Sequence, residues 1–327
     1  MRPRRVAVLV NPRAQGATRA RLRWLAAHVA PRDLYVPDGV DAARDAIAAI
    51  AAGGYDVVCV AGGDGAFMLA ARALIALAPA RVPALFPLRF GTGNAVHDVS
   101  AASPPTRRGL ARDLARAADP ATTIAPLRLL EVNGQLAQFA GVGLDADWAA
   151  DYAWLIKRHV GTGPLLPLVR GVPGYAATAL ALTIPRLVRR PFIAVRVIAR
   201  GTVTRLGTAG PAIPDGGVLY DGRATMVSAS TVASYSAGFP YFQHVDQIGD
   251  AFELKIAIAG ALTVLRTARR SLLGAADPRH VLDFAAHGVT IELASPLRYH
   301  VGGDVLPPVS TITVLASRHA VPVVRAG

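Results

Sequence analysis

Three glycines and an aspartate, Gly62-Gly63-Asp64-Gly65, stand between two apolar runs. Val57–Val60 predicts a buried strand and Ala66–Leu77 predicts a helix. Strand, glycine turn and helix are the grammar of a phosphate site. Glycine lets the backbone approach an anion with no Cβ in the way, and a helix start supplies free N–H groups and partial positive charge. An aspartate in such a turn repels phosphate unless a cation lies between them. Asp64 therefore predicts a bridging Mg²⁺, or a water or ribose contact, and the lysine of a Walker-type loop is absent. The alternative is a plain strand–helix turn in which Asp64 caps the helix.

The elements around this turn repeat its rhythm. A first strand, Arg4–Asn11, closes on Asn11-Pro12 and runs through a loop to Gly16. A helix over Thr18–Val29 follows, with Leu22, Leu25 and Ala26 on one face. A short strand near Leu34–Val36 precedes a helix over Asp41–Ala52, ended by Gly53-Gly54. A fourth strand, Val82–Phe86, runs into PLRFGTGNAVHDV. Successive β-α units predict a parallel sheet with helices on both faces, and ligands bind such sheets at the carboxyl ends of the strands. Asn11–Gly16, Gly62–Gly65 and Gly91–Asn94 all fall there. From the residues alone, Thr92 and Asn94 are good caps for the helix beginning near Ala95.

After about Pro126 the β-α rhythm stops. Short strands follow at Leu129–Val132, Leu136–Ala140, Ile193–Ala199, Val203–Arg205, Val289–Leu293, Tyr299–Val301 and Ile312–Leu315, with turn residues between them. That pattern predicts a β-sandwich, interrupted by helices near Asp147–Arg158 and Tyr175–Arg189.

These motifs resemble the diacylglycerol kinase catalytic domain superfamily. NPRAQG is similar to its NPxSG-type loop, GGDGA at 62–66 to its GGDGT, and PLRFGTGNAVHDV to its PxGTxNDFA segment. Farther on, FAGVGLDADW (139–148) resembles its GfDA turn, PDGGVLYDG (214–222) its DDGxL metal-site turn, and YHVGGDVLP (299–307) its DGE strand end. The resemblance implies an α/β nucleotide-binding domain of the phosphofructokinase and NAD-kinase type over residues 1–125. A C-terminal β-sandwich lipid-substrate domain would cover 126–308, with about 309–324 returning to the first. It implies ATP and Mg²⁺ as cofactors. The nucleotide would be held by Asn11, Gly62, Gly63, Asp64, Gly65, Ala66, Gly91, Thr92 and Asn94. Asp304 aligns with the glutamate that takes the hydroxyl proton, and Asp215 with the metal-site acids. The implied activity is transfer of the γ-phosphate to the hydroxyl of diacylglycerol or a related lipid, in phospholipid biosynthesis.

The totals fit that expectation. At 327 residues, the chain is long enough for two domains of roughly 100–200 residues each. Apolar residues make up 52% and charged residues 17%, which supports a large core. A lone cysteine, Cys59, excludes a disulfide framework and fits a reducing compartment. The net charge of +13 favours anionic partners. No zinc-finger spacing or aromatic RNA-binding signature accompanies it, so nucleic acid is not an expected partner. Gly171–Pro185 is too short to span a bilayer, which takes about 20 apolar residues. The arginines at 266, 269 and 270, and those at 186, 189 and 190, could rest on anionic membrane or form solvated helix ends. The expected partners are a lipid substrate and peripheral contact with anionic membrane, with room for a homodimer. The expected location is the cytoplasm, on the inner face of the membrane.

Three positions depart from the family pattern. Ala66 replaces a threonine, Gly216 replaces the second acid of DDG, and Asp304 replaces the glutamate of DGE. An aspartate sets its carboxylate back by about one bond, ~1.5 Å, and a shift of about 1 Å can cost about a hundredfold in rate. Two alternatives therefore stay open: a catalytically weak or inactive lipid-binding protein on the same fold, and a soluble-substrate kinase of the NAD-kinase type.

Overall fold

The apolar runs and glycine stops of the N-terminal third build a parallel sheet in which every strand hands over to a helix. In this computed structural model the described residues are 2–91, 95–155, 174, 177–189, 192–207, 210–235, 239–260, 263 and 279–325. The chain divides into two units, residues 1–127 with 319–327, and residues 128–318.

In the first unit the order is β1 (Val6–Val10), α1 (Arg19–His28), β2 (Leu34–Tyr35), α2 (Val40–Ala52), β3 (Val57–Gly62), α3 (Asp64–Leu77), β4 (Ala84–Arg89) and α4 (Arg107–Ala118). The strands lie in the order β2-β1-β3-β4, all parallel. Near the C-terminus, Val323 adds a parallel pairing beside Leu85 of β4. β3 is buried along its whole length, as a central parallel strand covered on both faces must be. Val57, Cys59 and Ala61 pack with Phe86, Leu88, Leu25 and Leu110 on one face. Burial raises the pKa of the Cys59 thiol well above its ordinary value, so it serves as a small core residue. α1 is capped by Thr18, whose hydroxyl accepts from the Arg21 amide at 3.3 Å. α4 is capped in the same way by Thr106. α3 begins at Asp64, two residues before the predicted Ala66, because the glycine turn itself supplies the first helical turn.

β5 (Ile124–Val132) leads into the second unit. There follow β6 (Gln135–Ala137), β7 (Phe139–Gly143), α5 (Leu144–Leu155), a π-helical turn at Ala179–Thr183, α6 (Ile184–Arg189), β8 (Ile193–Ala199), β9 (Val203–Arg205), β10 (Val218–Ala224) and β11 (Met226–Ser230). The short β12 (Ser234–Tyr235) and β13 (Phe239–Pro240) precede β14 (Phe252–Ala257), β15 (Val281–Ala286), β16 (Gly288–Val301) and β17 (Asp304–Val324). Two predicted strands, Val289–Leu293 and Tyr299–Val301, are the two halves of β16. Its register breaks between Glu292 and Leu297, on either side of Pro296. The first half pairs with β8 and the second with β7, so one strand serves two runs of sheet. One apolar core lies between those runs, drawing Val195, Val197, Ile291 and Ile312 from one side and Val142, Val227, Leu254 and Ile256 from the other.

Among the described residues no helix is long and apolar enough to cross a membrane. The apolar run that leads to the arginines at 266, 269 and 270 begins as strand, since Ile256 and Ala257 belong to β14. Arg266, Arg269 and Arg270 lie outside the described residues, as does Arg190.

Candidate active site

The first unit brings the three predicted loops together through contacts that only glycine allows. A Cβ on Gly91 would stand 2.1 Å from Gly63 Cα and 2.8 Å from the Gly63 nitrogen. A Cβ on Gly16 would stand 2.5 Å from Phe90 Cα, and the Gly16 amide donates to the Phe90 carbonyl at 2.7 Å. A Cβ on Gly62 would meet Ala66 Cβ at 2.4 Å and Asn11 Cβ at 3.6 Å. Asn11 is held at the end of β1 by its own amide, which donates to Ala61 at 2.9 Å. Its side-chain oxygen accepts from the Arg13 amide at 3.0 Å, closing an Asx turn. The tips at 11–16, 62–66 and 90–91 therefore form one cluster at the carboxyl end of the sheet. Beside them is the N-terminus of α3, whose first-turn N–H groups have no intrahelical acceptor.

Asp64 is buried, and both of its oxygens are engaged. Oδ2 accepts from the Ala95 amide at 3.1 Å and Oδ1 from the Val96 amide at 3.2 Å. Burial raises its pKa, against the lowering influence of His97 and of the two amide donors. Through these bonds the side chain anchors the loop after Gly91 to the start of α3. It does not cap its own helix, because the N-cap is Gly63. Thr92 and Asn94 lie outside the described residues.

This stretch matches the model of the diacylglycerol kinase catalytic domain. The match covers residues 5–122, which span β1 to just beyond α4. No curated protein matches the sequence. Among solved structures, the chain is similar to a "putative diacylglycerol kinase" from Bacillus anthracis str. Sterne, with 19% identity and a TM-score of 0.64 over 100% of this chain and 98% of the other. It is likewise similar to a diacylglycerol kinase from the same organism, with 17% identity and a TM-score of 0.60 over the same shares. At these identities the likeness is one of fold.

Beyond the diacylglycerol kinase catalytic domain, the second unit holds the remaining predicted residues. Asp304 is exposed and opens β17. Val301 pairs with it across Gly302-Gly303, whose φ values of 63° and 93° make a tight hairpin. Asp215 is also exposed, and its Oδ1 accepts from the Gly201 amide at 2.8 Å, so it closes a turn. Among the described residues, the only grouping of three potential ligands within reach of one ion is His244, Glu253 and Asp283.

That grouping already contains a cation. Lys255, 2% exposed, places Nζ 2.9 Å from Glu253 and 2.7 Å from Asp283. His244 is tied to Glu253 through its own amide at 2.7 Å. Burial raises the pKa of Asp283, with Lys255 opposing. The same register row continues across the sheet from Asp283 through Lys255, Ser228 and Gly141 to His300. Gly141 leaves room for the Asp145 carboxylate, because a Cβ there would stand 1.9 Å from Asp145 Oδ2. Ser228 donates to that oxygen at 2.6 Å, and His300 Nε2 lies 3.2 Å away. Sequence reading takes His244 and His300 as ordinary histidines and passes over Ser228 and Lys255. The alternation of apolar and polar residues in β11 and β14 is the signal that could have shown them.

Proposed function

We propose that the protein is an ATP-dependent lipid kinase that transfers the γ-phosphate to the hydroxyl of a lipid alcohol, diacylglycerol or a relative. The observation that carries the proposal is the cluster of three glycine-built loop tips at the start of α3, within a stretch that matches the diacylglycerol kinase catalytic domain model. Bare peptide amides at the start of α3 would hold phosphate oxygens, and Gly62, Gly63 and Gly91 leave the backbone open for close approach. Asn11 would orient the nucleotide from the end of β1. Asp304, exposed at its hairpin, would accept the hydroxyl proton as the lipid oxygen attacks phosphorus in line. Magnesium would arrive with the nucleotide, shielding the phosphate oxygens. Asp64 and Asp215 each accept from backbone amides. Exposed Leu180 and Val188, near Arg186 and Arg189, support peripheral contact with an anionic membrane.

The test is transfer of label from γ-labelled ATP to a panel of diacylglycerol, a sphingoid base, a polyprenol and NAD. We expect label in a lipid acceptor, with a loss of about two orders of magnitude in Asp304→Ala, the range for a removed general base. Label only in NAD would favour a soluble-substrate kinase. Silence from every acceptor, in a protein that still binds lipid, would favour a lipid-binding role.

A further inference from the structure

We infer that Arg89 supplies the side-chain cation that grips the nucleotide phosphates, in the place a lysine takes in many glycine-turn sites. The inference rests on the nucleotide-binding role proposed above. Arg89 is the last residue of β4, at the carboxyl edge of the parallel sheet. It pairs in register with Gly62 of β3. Register partners on adjacent parallel strands send their side chains to the same face. On that face a Cβ at Gly62 would point straight at Ala66 in the first turn of α3. Arg89 therefore leaves the sheet beside the glycine turn, on the side of the helix start.

Its company there is unusual for a half-buried guanidinium. Among the described residues its guanidinium makes no hydrogen bond and no ion pair, so the cost of drawing it partly out of water is not offset by an anion. The carboxylate nearest in sequence to the turn, Asp64, has both oxygens on the amides of Ala95 and Val96. The start of α3 carries partial positive charge, so a second cation beside it is repelled until an anion joins them. A polyphosphate meets that need: amides on one side, a planar fork of N–H donors on the other. Gly65 keeps the approach clear, since a Cβ there would touch nothing within 4 Å. Neither of the two lysines lies in this unit; they are Lys157 and Lys255.

The experiment compares wild type, Arg89→Gln and Arg89→Lys by calorimetry with Mg-ATP, adenosine and tripolyphosphate. Melting temperatures verify that each variant is folded. We expect Arg89→Gln to weaken ATP and tripolyphosphate binding about 10- to 100-fold, as loss of a charge-assisted pair does, and to leave adenosine unchanged. Arg89→Lys should recover part of the loss. In turnover, the KM for ATP should rise while the KM for lipid holds. Equal ATP affinity in folded wild type and Arg89→Gln would overturn the inference and leave the kinase proposal standing. If wild type takes tripolyphosphate but not ATP, and Arg89→Gln takes neither, the phosphate role of Arg89 stands and the nucleotide role falls. Failure of wild type to bind either would overturn both.

Discussion

Gly91 packs on Gly63 so tightly that a β-carbon at 91 would lie 2.1 Å from the Gly63 α-carbon. Two loops far apart in sequence meet there backbone to backbone. We expect Gly91→Ala to force them apart, with a loss of about 1–3 kcal/mol in stability and a larger loss in ATP affinity. Urea unfolding paired with calorimetry measures both. An alanine variant that binds ATP as wild type does would show that the contact is not part of the nucleotide cradle.

Asp64 connects the same loops by hydrogen bonds. Asp64→Asn keeps the size but offers one acceptor oxygen, and its NH₂ faces an amide donor. Such a buried mismatch costs about 1–3 kcal/mol. If Asp64 instead served a cation, the asparagine would change the Mg²⁺ dependence of ATP binding while leaving unfolding in metal-free buffer untouched. The tether assignment predicts the reverse: unfolding shifts with or without Mg²⁺.

The pH response follows from the direction of the buried carboxylates. Burial raises the pKa of Asp64, and of Asp113, which accepts from the Ser103 amide and hydroxyl at 2.9 and 2.8 Å. A carboxyl raised in the folded state binds its proton more tightly there than in the unfolded chain. These groups therefore weaken the fold when ionised and release that cost as pH falls through their folded pKa. We expect the urea midpoint to hold or rise as pH drops from neutral toward the ordinary carboxylate range, and the slope to flatten in Asp113→Asn. A midpoint that falls steadily over that interval in wild type, and equally in the variant, would contradict the assignment.

Much of this was legible in the chain because glycine and apolar runs are local signals. The α/β first half and strand-rich second half follow from the change of period near Pro126. The three loops follow from glycines that a close backbone approach demands. What was not legible depended on partners distant in sequence. Nothing in GGDGA announces that Ala95 and Val96 turn their amides toward Asp64. β16 read as two strands because Ala294-Ser295-Pro296 breaks its alternation, although the chain continues through it. Val218–Ala224 and Val281–Ala286 pair only with far segments, and neither was read as a strand. Lys255, one of two lysines, drew no notice because its counter-ions come from β14 and β15 together.

The Lys255 cluster gives a sharp test of buried charge. Lys255→Met would leave buried Glu253 beside half-buried Asp283 without the lysine cation between them, and loss of one partner of a buried pair costs about 3–5 kcal/mol. The triple variant Glu253→Gln, Lys255→Met, Asp283→Asn removes the charges together and should recover most of that loss. If the single variant matches wild type in urea unfolding, the cluster is solvated and the assignment fails.

Gln138 offers a test of the opposite sign. Its side chain is fully buried, and among the described residues neither Oε1 nor Nε2 has a hydrogen-bond partner. A buried polar atom left unmet costs about 1–3 kcal/mol. Leucine has nearly the same reach and no such need, so Gln138→Leu should raise the urea midpoint. Gly302 gives a second route to the same end. A Cβ there would lie 3.4 Å from Gln138 Oε1, and its φ of 63° is one that asparagine tolerates. Gly302→Asn should therefore hand the carboxamide a partner and hold or raise stability, while Gly302→Val, with greater backbone strain and no hydrogen bond, lowers it. Should Gln138→Leu unfold earlier than wild type, the carboxamide has a bridging water as its partner, and the gain expected from Gly302→Asn disappears with it.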